Sequence, residues 1–138
     1  MKNLKQLVVL TIFAALACTA LRAQNVVMRA TIPFEFQTGD RLMPAGEYVI
    51  QERDALVTFK HVDGKAASTL FTFGASGRGP AQNARLEFNR YGNAYFLAAV
   101  WNSITQDGRE VPQTAREKEL ANRGDVPAKA AVTLASRK

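Results

Sequence analysis

From Arg85 to Trp101, RLEFNRYGNAYFLAAVW, apolar and polar side chains alternate on either side of Gly92-Asn93. A period of two marks a strand, and a two-residue turn needs the positive φ that glycine supplies, so the stretch predicts a β-hairpin. A strict two-residue turn sets Phe88 opposite Leu97, Leu86 opposite Ala99 and Arg90 opposite Tyr95, with Tyr91, Phe96 and Val100 on the other face. Apolar groups on both faces of the second strand place it mid-sheet.

The same pattern predicts the other elements. Met28, Ala30, Ile32, Phe34 and Phe36 alternate with Arg29, Thr31, Pro33 and Glu35, which predicts one long strand. Pro33 confines that strand to an edge, or to a ladder that does not need its missing N–H. Thr38-Gly39-Asp40 closes it, and Leu42 to Gly46 is a tight connection into a second strand over Glu47 to Glu52. Ala55 to Val62 and Lys65 to Gly74 flank Asp63-Gly64 and predict a second hairpin. Its strict register pairs Val57 with Leu70 and Phe59 with Ser68. Phe71 and Phe73 then turn to the opposite face, so either a bulge intervenes or both faces are covered.

Gly74 to Asn83 is a small, polar, glycine-rich loop, and Asp107-Gly108 marks another turn before Val111-Pro112 ends the sheet region. Thr114-Ala115-Arg116-Glu117 matches a capping box, followed by good helix formers to Asn122 and by Gly124 as the closing residue. The apolar content of this helix is Ala115, Leu120 and Ala121, so it belongs on the surface, over a sheet edge or barrel end. Ala130 to Ala135 is either a last strand through Val132 and Leu134 or a disordered tail. The expected fold is mainly β: an antiparallel β-sandwich or small barrel of about seven strands with one short C-terminal helix.

Lys2 and Lys5 precede an apolar run, Leu7 to Ala20, that is shorter than the roughly 20 residues needed to cross a bilayer. With Leu21-Arg22-Ala23 behind it, this is the pattern of a cleaved signal peptide over residues 1–23, with a cut after Ala20 as the alternative. Residues 24–124 then form the β-rich domain, with its surface helix near 114–123, and residues 125–138 form a basic, Ala-rich tail. The expected location is exported, periplasmic or extracellular, with no stable membrane span after cleavage.

Cys18 is the one cysteine. Ala15-Leu16-Ala17 before it departs from a lipobox, which sets Leu three positions ahead of the cysteine. Once Cys18 is removed, disulfides, thiolate-bound zinc and cysteine nucleophiles are excluded, and a hydrophobic core must supply the stability. Half of the net charge of +6 sits on Lys2, Lys5 and Arg22. The remaining charges are of mixed sign, without the basic stripe that nucleic-acid binding requires.

His61 is the only histidine, which excludes multi-histidine metal sites and histidine acid–base pairs. Ser68, Ser76 and Ser103 have no G-x-S-x-G context. The loop GASGRGP lacks the Lys-Ser/Thr and following helix of a P-loop, and Arg123-Gly124-Asp125 is explained by Gly124 as helix cap. Paired carboxylates drawn from Glu35, Glu47, Glu52 and Glu87 are the remaining catalytic option, although alternation puts most of them on the solvent face. The candidate recognition residues are Arg90, Tyr91, Tyr95 and Trp101, since aromatic rings and arginine dominate binding hot spots. The competing reading is structural, because Trp101 shares a predicted face with Leu86, Phe88 and Leu97. No catalytic residue, metal ligand or cofactor is assigned.

IPFEFQTGDRLMPAGEYVI, LEFNRYGNAYFLAAVW and GREVPQTAREKELA resemble successive blocks of small exported proteins common in acidobacterial genomes. The resemblance covers most of the mature chain; it implies export and a β-rich domain, and it transfers no site. The expected function is that of an exported, non-catalytic binding or structural module of the envelope or extracellular space, its partner an envelope polysaccharide or protein. The alternative is a carboxylate-dependent hydrolase of an extracellular polymer.

Overall fold

The computed structural model describes residues 25–75, 83–102 and 108–136. The signal-peptide reading, Cys18 and most of the glycine-rich loop lie outside the described residues. The chain is mainly β, 61% strand and 8% helix, in two curled sheets that face each other as a half-barrel or sandwich.

In chain order the strands are β1 (Val26–Ile32), β2 (Phe36–Thr38), β3 (Arg41–Met43), β4 (Gly46–Arg53), β5 (Leu56–His61) and β6 (Ala67–Phe71). There follow β7 (Phe73–Ala75), β8 (Arg85–Tyr91), β9 (Ala94–Trp101), β10 (Gly108–Glu110), helix α1 (Ala115–Asn122), β11 (Ala128–Thr133) and β12 (Ala135–Ser136). Seven of these, β1, β4, β5, β6, β8, β9 and β11, have five or more residues, and they are the ones that carry the alternating pattern. One sheet runs β12-β1-β4-β5-β6 and the other β11-β8-β9-β10-β7. The β2–β3 hairpin joins the second sheet through a single parallel pair, Gln37 with Phe96.

The core lies between the sheets, and Phe36 is at its centre. Its ring meets Tyr48 and Phe59 of the first sheet at 5.3 and 6.1 Å, and Phe88 of the second at 5.5 Å. Ile32, Ile50, Met28, Met43, Val57, Leu86 and Val100 fill the space around these rings and are fully buried. Each such side chain contributes roughly 1.5–3 kcal/mol by leaving water, so burial here replaces the cross-links that the composition rules out.

The structure corrects the sequence reading at three places, each through a non-local partner. The long strand expected from Met28 to Phe36 is broken at Pro33-Phe34-Glu35: β1 pairs with β4 in one sheet, while β2 continues in the other. Proline offers no N–H to the ladder, which makes it a tolerable crossing point.

In the central hairpin Phe88 faces Leu97 and Arg90 faces Tyr95 as expected, but Leu86 faces Val100 and Glu87 faces Ala99. Ala98 is the extra residue of a β-bulge, and its carbonyl accepts the N–H of Val111 at 2.9 Å. The bulge brings Val100, as well as Leu97, into the core.

In the second hairpin the strict register holds, Val57 with Leu70 and Phe59 with Ser68. Phe71 and Phe73 turn to the opposite face without a bulge and remain 60% and 57% exposed, and the chain changes sheet between them. Buried Thr72 anchors that corner, with both its N–H and its hydroxyl bonded to Ala55 O at 2.8 and 2.9 Å. Gly74 and Ala75, expected in a loop, belong to β7 against β10. The tail takes its strand form: β11 lies along β8, and buried Leu134 turns the chain into β12 with its N–H on Ala84 O at 2.8 Å.

Candidate functional site

The four candidate recognition residues do not form one surface. Gly92, at φ 60°, makes the hairpin turn, and Arg90 holds it by donating from Nε to Gly92 O at 2.7 Å. The Arg90 guanidinium lies 5.5 Å from the centre of the Tyr95 ring. Tyr95 is stacked on Phe34 with centroids 3.7 Å apart, and Phe34 meets Phe88 edge-on at 5.0 Å. Arg90 and Tyr95 therefore cap one end of the core. What Tyr95 leaves free is its hydroxyl, which makes no hydrogen bond among the described residues.

Tyr91 points to the opposite face of the sheet. It is buried, edge-on to Phe96 at 5.7 Å, and its hydroxyl donates to Glu117 Oε1 at 3.5 Å. Burial, reinforced by the Glu117 charge, pushes the Tyr91 phenol above its ordinary pKa. Trp101 sits at the other end of β9, roughly 20 Å along the strand at about 3.3 Å per residue. There it pairs with Arg85, whose guanidinium is 5.3 Å from the ring, and packs over Gly108. The bulge at Ala98 is what moves Trp101 off the core face on which Leu86, Phe88 and Leu97 lie. Arg90, Tyr91 and Tyr95 thus share one end of the hairpin and Trp101 does not.

At that end a groove of about 420 Å³ opens between the hairpin turn, the β2–β3 hairpin and the first turn of α1. Tyr91, Asn93, Ala94 and Tyr95 form one wall; Glu35, Gln37 and Leu42 form another, and Arg116 closes it. The side chains of Glu35, Asn93 and Arg116 and the Tyr95 hydroxyl have no hydrogen-bond or ion-pair partner among the described residues. Leu42 adds an apolar surface that is 57% exposed. Charges of both signs, an amide, a phenol and an aliphatic side chain are thereby left facing one concavity. Arg116, Asn93, Gln37 and Leu42 carried no functional signal in the sequence. They sit in a capping box, a turn and two short strands, each already explained locally.

A buried polar cluster fixes the helix that supplies Arg116. Thr114 Oγ1 accepts the N–H of Glu117 at 3.1 Å, one half of the expected capping box. The other half is missing, since the Glu117 carboxylate turns into the sheet and accepts from Asn89 Nδ2 at 2.8 Å. Lys129 of β11 donates to Asn89 Oδ1 at 2.6 Å, completing a chain that runs Lys129, Asn89, Glu117, Tyr91. Glu117 is 2% exposed and is the buried residue of a helix otherwise open to solvent.

The carboxylates considered for catalysis are engaged separately. Glu47 pairs with Arg29 at 3.2 Å, Glu87 with Arg85 at 2.9 Å, and Glu52 with Arg109 at 3.2 Å, the last linking the two sheets. Glu35, expected on a strand, lies on the crossing between β1 and β2 and opens onto the groove. His61 is half-buried at the end of β5, its Nδ1 2.5 Å from Asp63 Oδ1 and its ring against Gly46 and the edge of Tyr48. Ser68 is half-buried on β6, and Ser76 and Ser103 lie outside the described residues. Among the described residues no group of three His, Cys, Asp or Glu gathers as a metal site, and no helix is long and apolar enough to cross a membrane. Compared with known proteins, the chain matches no family, no characterised protein and no solved structure.

Proposed function

We propose that the chain is an exported, non-catalytic β-rich module that binds an envelope or extracellular polysaccharide in the groove beside the central hairpin. One observation carries this reading: the side chains of Glu35, Asn93 and Arg116 and the Tyr95 hydroxyl have no hydrogen-bond or ion-pair partner among the described residues, although the Tyr91 hydroxyl beside them is bonded to Glu117. Glu35 accepts, Arg116 donates, and Asn93 and the Tyr95 hydroxyl do both, which suits a ligand rich in hydroxyl groups. Leu42 and the tyrosine edges supply the apolar contact that the C–H faces of a sugar ring require. The basic n-region and short apolar run before Ala23 support export.

The test is co-sedimentation of protein recovered from cells expressing the full-length chain with peptidoglycan and other insoluble polysaccharides, at low and high salt. Specific recognition predicts retention at high salt that falls at least about tenfold in Arg116→Ala and Tyr95→Phe, with melting temperatures unchanged. Tyr95→Phe is preferred to truncation because it keeps the stack on Phe34. Retention confined to low salt would mean charge attraction alone, and retention indifferent to both variants would remove the groove from the function.

A further inference from the structure

The first sheet ends at β6, and the way β6 is finished points to a partner. Ala66 O accepts the N–H of His61 at 2.8 Å and the Thr72 N–H bonds Ala55 O at 2.8 Å. Even-numbered residues of this segment therefore turn their backbone groups toward β5, and Ala67, Thr69 and Phe71 present theirs outward. The outward carbonyl of Ala67 is taken by Arg41 Nη1 at 2.5 Å. Those of Thr69 and Phe71 have no partner among the described residues.

Edge strands are commonly protected by lysine, proline or a bulge, and this one has none of these. From Ala66 to Ala75 the chain carries no charged residue. At its end Leu56, Phe71 and Phe73 are 45%, 60% and 57% exposed, the two phenylalanines edge to face at 5.7 Å. Leu56 lies opposite Phe71 in the ladder, so the three form one apolar patch across the corner between the sheets.

We propose that a second copy of this chain pairs antiparallel with β6 about a two-fold axis at Leu70, setting Thr69 opposite Phe71 of the second copy. Such an interface is isologous, so whatever β6 offers it also meets. Thr69 and Phe71 then exchange both backbone bonds with their counterparts, four in all by symmetry, and the two five-stranded sheets become continuous. The absence of charge matters here, since a charged residue on β6 would face its own copy across the axis. Each Phe71 covers the Thr69 of the other copy, and the Leu56–Phe73 patch lies at the rim. The contact is small compared with the roughly 1,600 Å² of a standard interface, so the dimer depends on concentration. It is independent of the groove, which lies at the other sheet's hairpin.

Residues exchanging both bonds have Cα atoms about 5.5 Å apart, within reach of a disulfide. The test mixes full-length Cys18→Ser chains carrying Thr69→Cys with others carrying Phe71→Cys and oxidises them mildly. A mixed dimer should form at least about ten times faster than between chains carrying Val126→Cys, an exposed position outside the edge. Sedimentation equilibrium of the uncrosslinked protein should show monomer and dimer, shifting to monomer in Phe71→Asp with the melting temperature unchanged. A single-chain mass up to about 1 mM, no preference for the Thr69–Phe71 pair, or a dimer indifferent to Phe71→Asp would each overturn the proposal.

Discussion

Asn89 and Glu117, one on the second strand layer and one on the helix, are joined by a 2.8 Å hydrogen bond that is shielded from water. It is the main polar tie between α1 and the sheet, because the helix has little apolar surface of its own to bury. Asn89→Ala leaves a buried carboxylate short of a donor and should cost about 2–3 kcal/mol. Glu117→Gln keeps an acceptor for Asn89 and should cost about 1 kcal/mol. Urea unfolding of the two single variants and the double variant measures this. A double-mutant coupling below about 0.3 kcal/mol would mean that the two side chains do not act together.

Gly46 lies at φ 150°, and a Cβ added there would collide with His61 Nε2. Two causes therefore oppose Gly46→Ala: a steric collision with the imidazole and a backbone conformation that side chains disfavour. The expected loss is about 2–4 kcal/mol. Gly46→Ala with His61→Ala should recover about half of it, the remainder being backbone strain. Full recovery in thermal unfolding would assign the loss to the collision alone.

The Asp63 carboxyl is held below its ordinary pKa of 3.8, chiefly by the Lys65 N–H bonded to Oδ1 at 2.9 Å, with His61 and Lys65 charges assisting. A depressed carboxyl contributes stability above its unfolded pKa and loses it as pH falls through the lower folded value. The advantage of the native protein over Asp63→Ala should therefore be complete at neutral pH and vanish in acid. Melting temperatures between about pH 2 and 7 test this, and a constant difference would show that ionisation is not involved.

Tyr48 is fully buried, with its hydroxyl on Pro44 O, and its pKa is pushed up to about 12, first by burial and then by the Asp63 charge. The folded state then holds the phenolic proton more tightly than the unfolded chain, whose value is 10.0. The stability this confers is complete below pH 10.0 and is lost as pH rises toward about 12. Ultraviolet titration should show one phenol ionising near the upper value and absent from Tyr48→Phe. If every phenol titrated near the ordinary value, Tyr48 would not be sealed in the core.

Most of the strands and the helix were legible in the sequence, because their causes are local. Alternation around Phe88 and Leu97 marks a strand whatever lies elsewhere in the chain. Gly92 and the Asp63-Gly64 pair mark turns through backbone freedom, and Thr114 with Gly124 bounds the helix through orphan backbone groups within one turn. The register of the second hairpin is also the one read from Asp63-Gly64, although the chain turns over four residues, with Gly64 N–H bonded to His61 O at 2.9 Å and His61 N–H to Ala66 O at 2.8 Å.

What only the tertiary structure decided has a distant partner as its cause. The carbonyl of Ala98 is satisfied by Val111, and that bond lets a bulge swing Val100 into the core and Trp101 out of it. Pro33 and Thr72 become sheet crossings because β4 and Ala55 are placed to receive the chain on either side. Glu117 leaves its capping role because Asn89, 28 residues away in sequence, offers a buried donor. The groove follows from the same events, as it joins Glu35 from a crossing, Tyr95 from a hairpin and Arg116 from a helix. Periodicity within a segment determines which face a side chain takes, whereas only the packed fold determines what that face meets.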